Sequence, residues 1–195
     1  MKRLILTGIA LVASTAPAFA HYGHPGHDPL VSGFLHPMTG ADHVLAMVAV
    51  GLWAALLGGR ALWLVPSAFV ATMVAGFAFA LAGGALPLVE PTILASVVTL
   101  GVLVALAVRV PAGIGMAVAG FFALFHGYAH GTEMAGGSGL SYMAGFAIAT
   151  AALHGAGLAA GLGLTRLFDG QSASTASRIA GVATAAGGLY LAIAG

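Results

Sequence analysis

Charge is what this chain of 195 residues lacks most: only 6% of them are Asp, Glu, Lys or Arg. Soluble domains carry about 25%, so there is too little charge to cover a water-facing surface. An ordinary soluble domain and a disordered chain are excluded, and so is a nucleic-acid binder, which needs a basic face. Cysteine is absent altogether, which excludes a disulfide scaffold and argues against a thiolate site for a soft metal. No Walker-type phosphate loop occurs, so no ATPase domain is fused to the chain. What is present is 60% hydrophobic residues, 30 Gly and a mean hydropathy of +1.05. The expectation is an all-α integral membrane protein embedded in a lipid bilayer. Its 8 His outnumber the charges of either sign.

The first residues read as a targeting segment. Lys2 and Arg3 form a positive start, Leu4 to Val12 a short apolar run, and Ala18-Phe19-Ala20 a small-x-small cleavage site after Pro17. The run is too short for the roughly 20 residues of a span, which favours a signal peptide over residues 1–20 rather than an uncleaved first helix. Residues 21–32 would follow as a periplasmic leader carrying His21, His24 and His27 before Asp28. A short His-rich tract of this kind suits metal capture, although it also reads as a plain polar spacer.

From Gly33 onward six apolar stretches are expected to span the bilayer, near 33–58, 62–84, 89–108, 111–133, 139–165 and 178–194. Beyond the targeting segment the basic residues are Arg60, Arg109, Arg166 and Arg178. With the N-terminus outside, all four fall on the cytoplasmic side, as the positive-inside rule requires. Both termini are then periplasmic, in a multi-pass protein of the inner membrane. The stretch 89–108 is the plainest and reads as the most lipid-exposed helix. The segment 166–178 reads as a polar connector. The two halves of three spans would have opposite orientations, as in inverted-repeat transporters.

Ionisable groups inside a membrane segment are costly and mark function. The first stretch opens with His36-Pro37-Met38-Thr39-Gly40-Ala41-Asp42-His43. At roughly 100° per residue, His36 and His43 return to one helix face, with Gly40 leaving that face open and Pro37 suiting a first helical turn. Asp42 could orient an imidazole on another helix or be a ligand itself. The fourth stretch ends in Phe125-His126-Gly127-Tyr128-Ala129-His130-Gly131-Thr132-Glu133, where His126, His130 and Glu133 share a face. His154 in the fifth stretch is a further candidate ligand, with Thr150 one turn earlier. All but His154 belong to the outer half, together with Glu90 between the second and third stretches. That distribution suits a cation entry site, and imidazole with carboxylate suits borderline divalent ions.

HPMTGADH and FHGYAHGTE are similar to the two signature motifs of the HupE/UreJ family, and the resemblance covers essentially the whole chain. It implies a six-span membrane protein with a cleavable signal, associated with nickel supply to hydrogenase and urease, or with cobalt. It also implies that His36, Asp42, His43, His126, His130 and Glu133 are the residues needed for metal passage. The function expected is a permease that carries Ni2+ or Co2+ as cargo and has no tightly bound cofactor. It is not expected to be an enzyme, and a homo-oligomer stays open. The competing readings are an intramembrane zinc-dependent hydrolase, with Glu133 or Asp42 activating water, and more weakly a serine protease using Ser138 and His154. A haem-binding electron carrier is disfavoured because the ligands crowd one membrane face.

Overall fold

The computed structural model describes residues 28–134 and 139–194. The expected signal segment, His21, His24, His27 and Ser138 lie outside the described residues. All regular structure described is helical: α1 (Pro29–Thr39), α2 (Ala41–Leu57), α3 (Ala61–Leu81), α4 (Val89–Ala105), α5 (Ala112–Glu133), α6 (Gly139–Leu167) and α7 (Gly170–Ala194). Helices α3, α5, α6 and α7 are each long and apolar enough to cross a bilayer, so the chain is a membrane protein. Helix α4 has 17 residues, about 25 Å at 1.5 Å per residue, slightly less than the ~30 Å hydrocarbon core.

The first expected span is not one helix. Asp28 caps α1 by accepting the Leu30 N–H at 2.8 Å, with Pro29 at the first helical position. Pro37 therefore lies near the end of α1 rather than in the first turn of a longer helix. Having no N–H, it makes no hydrogen bond to the carbonyl four residues before it. The chain turns extended at Gly40 (φ −85°, ψ 117°), which ends α1 and begins α2, and the two helix axes meet at 81°. Asp42 sits in the first turn of α2, where the helix dipole favours a carboxylate. Beyond it, α2 is apolar on every side and forms the core: Ala46, Met47, Ala49, Val50, Trp53 and Ala54 are all buried.

Helix packing rests on reciprocal glycines. A Cβ on Gly127 of α5 would overlap the Met73 carbonyl oxygen of α3, and one on Gly76 would overlap that of Leu124 in return. Gly51 of α2 and Gly157 of α6 sit in the same way against the carbonyls of His154 and Val48. Gly33 of α1 with Gly145 of α6, and Gly101 of α4 with Gly181 of α7, repeat the arrangement. Side-chain-free contacts let backbones touch, the usual solution where lipid supplies no hydrophobic drive between helices. The principal pairings are α3 with α5, α4 with α7, and α6 with both α1 and α2. Exchanging the two halves of the chain would leave that scheme unchanged.

Two further expectations are corrected. Helix α4 is not simply lipid-facing: Ile93, Ser96, Val97, Leu100, Gly101 and Val104 are buried against its neighbours. Nor is 166–178 a loop, since α6 runs to Leu167 and α7 begins at Gly170. Asp169 is the reason. Its carboxylate accepts the Gln171 and Ser172 N–H groups at 3.1 and 2.9 Å and the Ser172 hydroxyl at 2.8 Å, capping α7. The Ser172 N–H, then its hydroxyl, then the Gln171 N–H hold this carboxyl below the usual aspartate range. The cap therefore acts fully above the ordinary aspartate pKa of about 3.9 and is lost as acid protonates it. Asp169→Ala should lower amide-exchange protection in the first turn of α7 at neutral pH. The gap from the wild type should begin to narrow as the pH falls below about 3.9 and close only as it passes through the lowered pKa of Asp169.

Candidate metal-binding site

The bend at Gly40, the start of α4 and the end of α5 meet at one end of the bundle. His36 (α1), Asp42 and His43 (α2), Glu90 (first turn of α4) and His130 and Glu133 (α5) line a pocket of about 120 Å3 there. At the other end, the Trp53 indole N–H donates to the Val108 carbonyl at 2.9 Å. The bend does not separate the two motif histidines. His36 and His43, expected on one face of a straight helix, lie on different helices with ring centroids 6.1 Å apart.

His130 is the hub. Its ring lies 4.5 Å from that of His36 and 4.7 Å from that of His43. One nitrogen each from His36 and His130 and one carboxylate oxygen of Glu133 lie within 4.8 Å of one another. The hydrogen bonds assign the tautomers. His43 Nδ1 donates to Asp42 Oδ1 at 2.9 Å, which leaves its Nε2 as a lone pair. His130 Nδ1 donates to Glu133 Oε2 at 3.2 Å, which frees its Nε2 in the same way. These two Nε2 atoms stand 2.6 Å apart. Facing lone pairs at that distance repel, so the pair calls for a shared positive centre, either a proton or a metal ion. Two nitrogens on one metal at ~2.0–2.1 Å each would sit about 2.9–3.4 Å apart, a small opening of the present geometry. Asp42 thus orients its own neighbour, not an imidazole on another helix.

His126 is fully buried one turn deeper, its ring 5.0 Å from that of His43. Ser96 of α4 spends its only proton on the Ile93 carbonyl at 2.6 Å, so its oxygen accepts the His126 Nε2–H at 3.0 Å. Nδ1 of His126 is then a lone pair, and it has no partner. His154 does not join the four imidazoles; its neighbour is the Phe69 ring at 4.9 Å. The glycines of the second motif serve packing, not access: Gly127 and Gly131 face Met73 and Phe77 of α3. Gly40 does open the site, since a Cβ there would come within 2.9 Å of Asp42 Oδ1 and 3.0 Å of His43 Nδ1.

Four contributors were not evident from the sequence. Glu90 was recognised only as an outer-loop acid, although it lines the pocket. Ser96 carried no signal beyond being one hydroxyl in an apolar run. Phe146 of α6, buried with its ring 4.5 Å from that of His130, and Tyr142 stacked on it at 6.3 Å, wall the site on one side.

This arrangement is built from the two motifs noted in the sequence, and the comparison with known families agrees. A model of the HupE / UreJ protein family matches residues 9–191. The chain belongs to the HupE/UreJ family. A curated relative, Protein HupE of Rhizobium leguminosarum bv. viciae, is 48% identical over 130 residues, which cover 67% of this chain and 68% of that protein. No solved structure matches, so this fold gives the HupE/UreJ family's two motifs a spatial setting: a broken helix and the end of α5, converging on one pocket.

Proposed function

We propose that the chain is a permease importing a divalent transition-metal ion, nickel or cobalt, across the inner membrane from the periplasm, in the service of hydrogenase or urease. The observation that carries this reading is the convergence of two imidazole lone pairs, each set by a carboxylate on the opposite ring nitrogen, on a pocket that three acids line. His36, Asp42, His43, His126, His130 and Glu133 form the metal site, with Asp42 and Glu133 fixing ring orientation as well as supplying charge. A broken helix at a ligand site is a recurring device of secondary transporters. Counting α1 and α2 as one span and the shorter α4 as another gives six, with Arg60, Arg109 and Arg166 at the end away from the site and the signal segment cleaved after Ala20. His21, His24 and His27 would gather ions above the entrance. Each positive charge gains about 2.3 kcal/mol per 100 mV of inside-negative potential, so import runs downhill without ATP.

A hydrolase draws no support from the site. Its pocket of about 120 Å3 suits an ion rather than a peptide or lipid substrate.

The direct test is uptake of radioactive nickel and cobalt by cells with and without the protein; for both metals, uptake unchanged by the protein would overturn the proposal. Asp42→Asn keeps a hydrogen-bonding side chain beside His43 and removes the charge. It should weaken nickel affinity about 10–100-fold, as losses of such outer partners do, which titration of the purified protein would read.

A further inference from the structure

We infer that the ion's route continues below the pocket to a second station at His154, with Phe69 as the barrier between them. This rests on the permease reading. His154 is 2% exposed, and among the described residues neither of its ring nitrogens has a hydrogen-bond partner; the same holds for Nδ1 of His126, which is fully buried. Buried polar atoms are nearly always satisfied, and the exceptions call for an explanation. The three unpartnered imidazole nitrogens belong to two rings that both neighbour one aromatic ring. The Phe69 ring is 5.8 Å from that of His126 and 4.9 Å from that of His154, and the residue is wholly buried.

The surroundings of His154 suit a borderline divalent cation. Thr150, one turn earlier on α6, directs its hydroxyl at the Met73 thioether 3.6 Å away, and both residues are buried. Imidazole, hydroxyl and thioether are a donor set for a transition ion rather than for magnesium or calcium. His154 also touches a groove between α3 and α6 lined by Pro66, Ser67, Val70, Ala151 and Leu158. Pro66, Ser67 and Val70 belong to the first half of α3 and Leu158 to the second half of α6, with Ala151 near the middle; both halves lead away from the carboxylate pocket towards Arg60 and Arg166. The rings of His36, His130, His43, His126, Phe69 and His154 thus succeed one another from the pocket to the groove. A packing role for His154 explains little, because an apolar side chain would fill the same space without unpaired nitrogens.

The test uses the full chain with His154→Phe and His154→Leu, two apolar replacements of different shape. Ni2+ binding is measured by titration in detergent, and Ni2+ entry by a trapped indicator in proteoliposomes. The station predicts that at least one variant binds Ni2+ within about twofold of the wild type at the outer pocket while its entry rate falls at least about tenfold. A variant that transports at the wild-type rate would overturn the station, and so would loss of outer-pocket binding in both, which would make His154 structural. A wild type that neither binds nor passes Ni2+ would instead overturn the permease reading itself.

Discussion

His43→Ala and His130→Ala should each abolish nickel uptake while leaving the amount of protein in the membrane unchanged. Losing a partner that merely orients a metal ligand costs about 10–100-fold, and losing a ligand should cost at least the upper end of that range. His130 has more to lose, since it faces His36, His43 and Glu133 at once. Removing it leaves the His43 lone pair, held in place by Asp42, pointing into an empty pocket. Removing His43 leaves Asp42 without the ring it orients and His130 without its facing nitrogen. Neither truncation disturbs the backbone contacts that assemble the bundle, so insertion should persist. Radioactive nickel uptake, normalised to protein detected in membranes, checks both variants. Wild-type uptake in either would remove the facing pair from the mechanism.

Gly157→Ala should destabilise the bundle strongly. The new Cβ would drive into the Val48 carbonyl of α2, and backbone cannot give way as a flexible side chain can. Overpacking ordinarily costs about 1–3 kcal/mol, and a clash with backbone belongs at the top of that range. Gly155, in the same helix, has nothing within 4 Å of the corresponding position, so Gly155→Ala should stay within about 0.5 kcal/mol of the wild type. Thermal unfolding of the two purified variants, followed by circular dichroism, measures the difference. Equal midpoints would mean that the glycine contacts are looser than they look.

The candidate site was legible because ionisable groups stand out in a chain with so few of them. Six residues in two motifs could be picked as candidates without any structure, and five of them line or face one pocket, with His126 just beneath. The break between α1 and α2 was not legible: Pro37 reads equally well as a first-turn proline or a late one, and only the extended Gly40 decides. His36 and His43 were matched by the periodicity of a helix that does not exist, yet the bend brings them together. Glycine misled in the second motif, because sequence shows small size but not which neighbour uses it. The start of α7 was hidden by its Ser, Thr and Gln, whose composition resembles a loop until Asp169 is seen capping it. The contribution of Ser96 depends on α4 lying beside α5, which no local pattern encodes.

The pocket at the bend has a consequence for what may enter. Imidazoles of His36, His43 and His130 border it, and each nitrogen that binds an ion takes the place of one of that ion's waters. An ion arriving there must exchange part of its hydration shell for imidazole nitrogen. Magnesium sheds water reluctantly and prefers oxygen, whereas nickel and cobalt gain from nitrogen donors. For a permease, dehydration rather than diameter would then set the toll at this mouth, and hard cations would stay in their own water.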